Sequence, residues 1–172
     1  MGNHLENRNS RSFGGSRGTG HIGLRRVTLI VVHCTATRVD RDFTEKELLR
    51  CHRARGMKMV GYHFYIRKDG FIHSTRPLEM PGAHALGYNR ESIGIAYEGG
   101  LTPQGCPADT RTRQQKHSIR ALIRTLKQDF PIERVCGHRD LSPDRNGNQA
   151  IEPHEWTKQC PCFDVATDAW CH

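Results

Sequence analysis

The sequence predicts an α/β domain in which a mixed central β-sheet is flanked by helices. Three observations point there. Val27–His33 and Ser92–Tyr97 are short, apolar, β-branched runs, two segments repeat apolar residues at helical spacing, and a turn signal, Lys68-Asp69-Gly70, sits between strand-like runs.

Val27–His33 (VTLIVVH) is continuously apolar, as a strand buried on both faces is. Thr44 followed by Glu47 is a capping-box pair and opens a helix through Leu48, Leu49 and His52 that stops near Gly56. Tyr62–Arg67 and Phe71–Ser74 flank the Lys68-Asp69-Gly70 turn and read as a hairpin. Ser92–Tyr97 (SIGIAY) is a further strand, closed by Gly99-Gly100. Ile119, Leu122, Ile123, Leu126 and Phe130 mark the apolar stripe of a second helix, ended by Pro131. Arg134–Gly137 is a short strand that delivers His138, and residues 141–155 form a polar insertion before a last segment from Trp156. The order β-α-β-β-β-α-β, with no internal repeat, implies one domain over residues 26–172. A basic Gly/Ser/Arg arm over residues 1–25, with almost nothing to bury, is expected to be disordered.

The 172 residues are 35% apolar and 26% charged, polar for a globular chain but long enough for a single core. No run approaches the roughly 18 apolar residues of a spanning helix, so no helical membrane span is expected. The net charge is +8, and residues 1–26 carry half of it, five Arg against Glu6. A mildly basic domain suits an anionic polymer, whether cell wall or nucleic acid. The seven cysteines are Cys34, Cys51, Cys106, Cys136, Cys160, Cys162 and Cys171, and the odd count leaves at least one unpaired. The N-terminal residues hold no apolar secretory core. The expectation is therefore synthesis in the reducing cytoplasm with mostly free thiols, some of them metal ligands.

His33 ends the first strand, His138 follows another, and Cys160 lies in the string Lys158-Gln-Cys-Pro-Cys162. Two imidazoles and one thiolate suit a zinc ion with an open fourth position. Spacing alone does not select this triplet, because eleven histidines and seven cysteines allow many. Cys162, Cys171 and His172 could instead join Cys160 in a structural zinc site, although their spacing is not that of a usual finger. His154-Glu155-Trp-Thr-Lys158 begins like H-E-x-x-H but ends in Lys, so a zincin is not expected.

The surrounding strings narrow the choice. VVHCTAT at His33, VGYHFYIRKDG at Tyr62, GAHALGYNRESIGI from His84 through Asn89, GHRD at His138 and KQCPCFD at Cys160 occur in order between Val27 and Asp164. Together they resemble the type 2 N-acetylmuramoyl-L-alanine amidases, the superfamily of amidase-type phage lysozymes and peptidoglycan-recognition proteins. The resemblance implies zinc ligands at His33, His138 and Cys160, catalytic Tyr62 and Lys158, and a substrate groove at His84 and Asn89. It implies endolysin-like hydrolysis of the amide between N-acetylmuramic acid and L-alanine of the stem peptide. Peptidoglycan or muropeptides would then be the partner. Ala96 sits where some intracellular recycling amidases of the family carry a catalytic Glu, which favours the Tyr/Lys form of the site, and Glu98 reads as structural. The alternative is a non-catalytic peptidoglycan-binding or partner-regulating module. Retention of all three candidate ligands with Tyr62 and Lys158 favours the enzyme. A monomer without a nucleic-acid partner is expected, acting on the wall after release or export.

Compact phage enzymes of this kind have few residues between the second His and the Cys; here 21 lie between His138 and Cys160. Within them Asp144, Asn146, Asn148, the Ala150 carbonyl and Glu155 resemble positions 1, 3, 5, 7 and 12 of an EF-hand-type calcium loop. Gln149 stands where that loop needs Gly, so any calcium affinity should be modest, and a plain polar loop is the alternative.

Overall fold

The computed structural model describes residues 21–22 and 25–168. Residues 1–20 of the expected arm lie outside the described residues, as do Cys171 and His172. The chain forms β1 (His21–Ile22), β2 (Arg25–Arg26), β3 (Leu29–Cys34), β4 (Thr37–Arg38), α1 (Glu45–Ala54), β5 (Phe64–Ile66) and β6 (Ile72–Ser74). It continues with β7 (Ser92–Tyr97), β8 (Gly100–Leu101), α2 (Arg113–Asp129) and β9 (Arg134–Gly137). Two 3-10 turns follow, at His138–Leu141 and Pro153–Glu155.

The main sheet runs β6-β5-β7-β3-β9. Strands β5, β7, β3 and β9 are parallel, and β6 turns back antiparallel as the hairpin edge. The predicted β-α-β-β-β-α-β order is the observed one. Short pairs β1-β2 and β4-β8 lie outside this sheet. Order begins before Arg26, because Arg25 is buried rather than part of a free arm; its guanidinium is spent on four backbone carbonyls described below.

α1 starts where the sequence places it. Thr44 accepts from the Glu47 N–H, and the Glu47 carboxylate accepts from the Thr44 N–H at 2.6 Å. α2 uses the same device with Thr112 and Gln115, which the sequence reading passed over. Side chains alternate across β3. Ile30, Val32 and Cys34 face α2 and its buried Ile119, Ile123 and Leu126, with Phe163 and Val165 closing that core. Burying each of these aliphatic side chains stabilises the fold by roughly 1.5–3 kcal/mol. Leu29 and Val31 face the other way, onto Cys136, Tyr88 and Leu141, and on that same side Leu48 of α1 covers Tyr65 and Ala96. His33 continues the second face. Among the described residues no helix is long and apolar enough to cross a membrane.

Candidate active site and metal centre

Neighbouring parallel strands end at one edge of the sheet, and the site is built there. Val32 pairs with Gly137 across β3 and β9, so His33 and His138, each one residue further on, stand level. Their ring centroids are 4.6 Å apart. Cys160 arrives from the far end of the chain. The Arg139 N–H donates to the Cys160 carbonyl at 2.8 Å, and the Cys34 N–H points at the Cys160 Sγ at 3.2 Å. Gly137 admits this loop, since a Cβ there would stand 2.6 Å from Pro161 Cδ. The Tyr97 hydroxyl donates to the Pro161 carbonyl at 2.7 Å and fastens it. One donor atom from each of His33, His138 and Cys160 then lies within 4.8 Å of the others.

A chain of hydrogen bonds assigns the ring protons. The Ser92 hydroxyl donates to the Tyr88 carbonyl at 2.7 Å, which leaves its oxygen to accept from His84 Nε2 at 3.4 Å. His84 Nδ1 is then an acceptor, and His33 Nε2 donates to it across 2.9 Å. His33 Nδ1 keeps its lone pair and faces Cys160 Sγ at 3.7 Å. Burial holds His33 neutral, well below its ordinary pKa, with His84, His138 and Lys158 pushing the same way. His138 is lowered to about 4 by burial and then by the Lys158 charge. Neutral imidazoles with a free lone pair are what a metal requires, so this donor set fits zinc.

Support for His84 comes from glycines and a second histidine. A Cβ on Gly94 would lie 2.5 Å from His84 Cδ2, and one on Gly82 would lie 2.3 Å from it, so both glycines make room for the ring. Gly94 interrupts an apolar strand, which is the sequence signal for such a close approach. His63 is fully buried: Gly94 N–H donates to its Nδ1 at 3.0 Å, and its Nε2 reaches the Met80 carbonyl at 3.0 Å. Arg25 lies 3.2 Å from that Nε2 and donates to the carbonyls of Leu78, Asn89, Arg90 and Ser92. It thereby clamps the whole segment that carries His84. No local pattern in the sequence marks Arg25 for this role.

Tyr62 stands beside these donors, its ring centroid 5.0 Å from that of His33. Gly61 before it passes so close to Ala83 that a Cβ would lie 2.2 Å from the Ala83 oxygen. Burial, then the Cys160 and Cys34 sulfurs, push the Tyr62 pKa up, so the phenol keeps its proton at neutral pH. Lys158 is exposed on the rim, two residues before Cys160. It lines a groove of about 570 Å³ with His138, Leu141 and Thr157 on one side and Ala83 through Asn89 on the other.

The structure thus brings His33, His84, His138, Cys160, Tyr62 and Lys158 together. Asn89 also lines the groove, with its Oδ1 accepting from the His84 and Ala85 N–H groups at 2.8 and 3.0 Å. Ala96 pairs with His33 and places a methyl, not a carboxylate, beside it. Glu98 is buried and consumed by Arg67 at 2.6 Å and the Phe43 N–H at 2.7 Å, a structural role. In the insertion, Asp144 accepts from the Gly147 and Gln149 N–H groups, Asn146 from Asn148, and Asn148 from Ala150. Glu155, buried, accepts from Arg145, Asn146 and Glu152 N–H groups. Gln149 has φ 66°, so it takes up the left-handed turn that glycine favours. Glu152, His154 and Glu155 form a second cluster of metal-ligand types among the described residues. There the Glu155 carboxylate serves the loop's own backbone, and the Glu152 carboxylate accepts from the Asn146 and Asn148 side-chain amides.

A sequence model of the family described as N-acetylmuramoyl-L-alanine amidase matches residues 23–162. An uncharacterized protein of Haemophilus influenzae is 44% identical over 97 residues, covering 56% of this chain and 84% of that one. The endolysin of Klebsiella phage KP32 is 33% identical over 136 residues, 79% of this chain and 81% of the endolysin. Among solved structures, the N-acetylmuramoyl-L-alanine amidase LysC from Clostridium intestinale superposes with a TM-score of 0.62 at 33% identity, over 80% of this chain and 78% of that one. A family match over most of the length, on a fold whose strand ends assemble that donor set, shows that this chain belongs to the N-acetylmuramoyl-L-alanine amidase family.

Proposed function

We propose that this enzyme hydrolyses the amide joining N-acetylmuramic acid to L-alanine of the peptidoglycan stem peptide, with zinc held by His33, His138 and Cys160. The observation that carries the reading is the convergence of three neutralised or thiol donors within 4.8 Å at the end of a groove edged by Lys158. When bound there, zinc would polarise the amide carbonyl and acidify the attacking water.

The protein's own groups supply the rest. Lys158 presents an ammonium near enough to His33 and His138 that its charge pushes both imidazoles toward the neutral form. It donates to the carbonyl oxygen as negative charge develops there. Tyr62 holds a proton on Oη at neutral pH, available to the same oxygen or to the departing nitrogen. A donor of this kind is worth roughly 3–4 kcal/mol in a site of this type. His84 and Asn89 shape the opposite wall, where the stem peptide would lie. Acting on the wall, the enzyme would work as a monomer after release or export.

The test pairs elemental analysis of purified protein with detection of new L-alanine amino termini from peptidoglycan. About one zinc per chain, with activity and zinc both lost in Cys160→Ala, supports the reading. Zinc that persists in Cys160→Ala, with no amino termini released by the wild type, overturns it.

We propose in addition that residues 144–155 take up calcium through Asp144, Asn146, Asn148, the Ala150 carbonyl and Glu155. The support is the left-handed Gln149 at the position where such loops use glycine. Calorimetric titration of zinc-loaded protein with calcium should give a Kd of about 10⁻⁴–10⁻³ M. Absence of binding at millimolar calcium would remove the site.

A further inference from the structure

Cys34 and Cys162 flank the metal donors without belonging to them. Cys34 follows His33 on β3, but alternation turns its side chain to the α2 face of the sheet. Cys162 follows Cys160 by two residues and packs against the same core. Their Sγ atoms are 3.8 Å apart. A disulfide needs about 2.05 Å, so the two sulfurs already stand in contact and have that remaining gap to close.

A second observation singles out Cys162. It has φ 70°, the left-handed region that glycine or asparagine normally fills and that a Cβ disfavours. A cysteine there costs backbone strain, and what its side chain gains is contact with Cys34. Gly100 completes the pocket. A Cβ on it would lie 2.5 Å from Cys34 Sγ, so glycine keeps that space open for sulfur.

We propose that Cys34 and Cys162 are a disulfide site, closed by a small disulfide oxidant once the protein leaves a reducing compartment. Cys34 is 4% exposed while Cys162 is partly exposed, so Cys162 is the sulfur that an oxidant reaches first. As it gives up its proton, the Cys162 sulfur attacks oxidised glutathione, forms a mixed disulfide and expels one glutathione, which takes that proton. The Cys34 sulfur then attacks the Cys162 sulfur and expels the second. Two protein thiols and one oxidised glutathione become one protein disulfide and two glutathione thiols, which carry away both protons. The bond would tie β3 to the loop that delivers Cys160, fixing two donors relative to each other. Cys34 has a second sulfur neighbour in Cys160. The choice of Cys162 over Cys160 rests on the zinc reading, which engages the Cys160 thiolate; the 3.8 Å approach of Cys34 and Cys162 does not.

The experiment incubates zinc-loaded protein in glutathione buffers from fully reduced to mostly oxidised, then alkylates, digests and maps thiols by mass spectrometry. Zinc content, Tm and release of L-alanine amino termini are followed in parallel. The expected result is a linked Cys34–Cys162 peptide with zinc retained. Tm should rise by roughly 5–10 °C and fall back on adding dithiothreitol. Cys162→Ser should abolish both the link and the rise; reversal by dithiothreitol in the wild type reads the same bond should that variant fail to fold. Full alkylation of Cys34 and Cys162 in oxidising buffer overturns the proposal, as does a Cys34–Cys160 link with loss of zinc. Failure of the amidase reading would appear separately, as a mapped Cys34–Cys162 link in a protein that releases no amino termini.

Discussion

His84 Nδ1 lies 2.9 Å from His33 Nε2, and this contact leaves His33 Nδ1 as the nitrogen that faces Cys160. Replacing His84 with Ala leaves the His33 proton without a partner and frees the ring to rotate. Zinc affinity should fall about 10–100-fold, the usual cost of losing a partner that orients a ligand. Competition against a chromophoric chelator measures this directly. An unchanged Kd would show that His84 serves the substrate alone.

Gly94→Ala should reproduce much of that loss from a residue that touches no metal ligand. Its Cβ would meet the His84 ring at 2.5 Å, so the ring must shift. Overpacking of this kind costs roughly 1–3 kcal/mol of stability. If the two substitutions act through one ring, the Gly94→Ala, His84→Ala double variant should bind zinc no worse than His84→Ala alone. Additive losses would separate the effects.

Lys158→Met and Tyr62→Phe should each lower kcat by about 10²–10³-fold while zinc content stays near one per chain. Single-turnover kinetics on a defined muropeptide separate this from weaker binding. Loss of zinc in either variant would give that residue a structural role instead.

Stability should decline in acid, and buried His63 is one contributor beside His33, His84 and His138, which burial also holds neutral. Burial lowers the His63 pKa from 6.5 to about 4, against a smaller upward pull from the Met80 carbonyl. Above pH 6.5 neither state binds the proton, so the neutral ring costs nothing. As pH falls from 6.5 toward 4 the unfolded chain takes up a proton that the folded chain refuses, and stability drops by up to about 3 kcal/mol. Protonation would also set a new Nδ1 proton against the Gly94 N–H. Chemical denaturation at a series of pH values tests it: His63→Gln should reduce the slope by the share of one proton, and an unchanged slope would remove His63 from the account.

Arg25→Met should loosen the segment it clamps, up to Ser92 at the start of β7. Four carbonyls, of Leu78, Asn89, Arg90 and Ser92, lose a charged donor. Hydrogen exchange should accelerate across residues 78–92 and remain unchanged in α2, and activity should fall with it. Uniform acceleration would mean that Arg25 supports the whole fold.

Much of this architecture is legible in the sequence because it rests on local rules. The Thr44/Glu47 cap, the apolar stripe of α2 and the strands Ser92–Tyr97 and Arg134–Gly137 each carry their own signal. The site residues are legible only through five motifs taken together, since one histidine at a strand end signals little. What stays hidden is long-range. Arg25 reaches carbonyls 53 to 67 residues away, and no periodicity announces that. The sequence marks His84 only as a groove residue, because its contact with His33 spans 51 residues and appears only once β3 and β7 pair.

The donors of the proposed zinc site are scattered along the chain: Cys160 and His33 are 127 residues apart, and His138 arrives only with the last strand. Closing loops of that size is slow, and the contacts form late. On the zinc reading, a nascent or half-assembled chain lacks the three-donor geometry that would hold the ion. If zinc binds as proposed, its uptake would mark the finished sheet apart from every earlier intermediate. Refolding with zinc added at successive delays should show uptake tracking the slowest folding phase. A hydrolase assembled in this order stays inert until its last strand is in place.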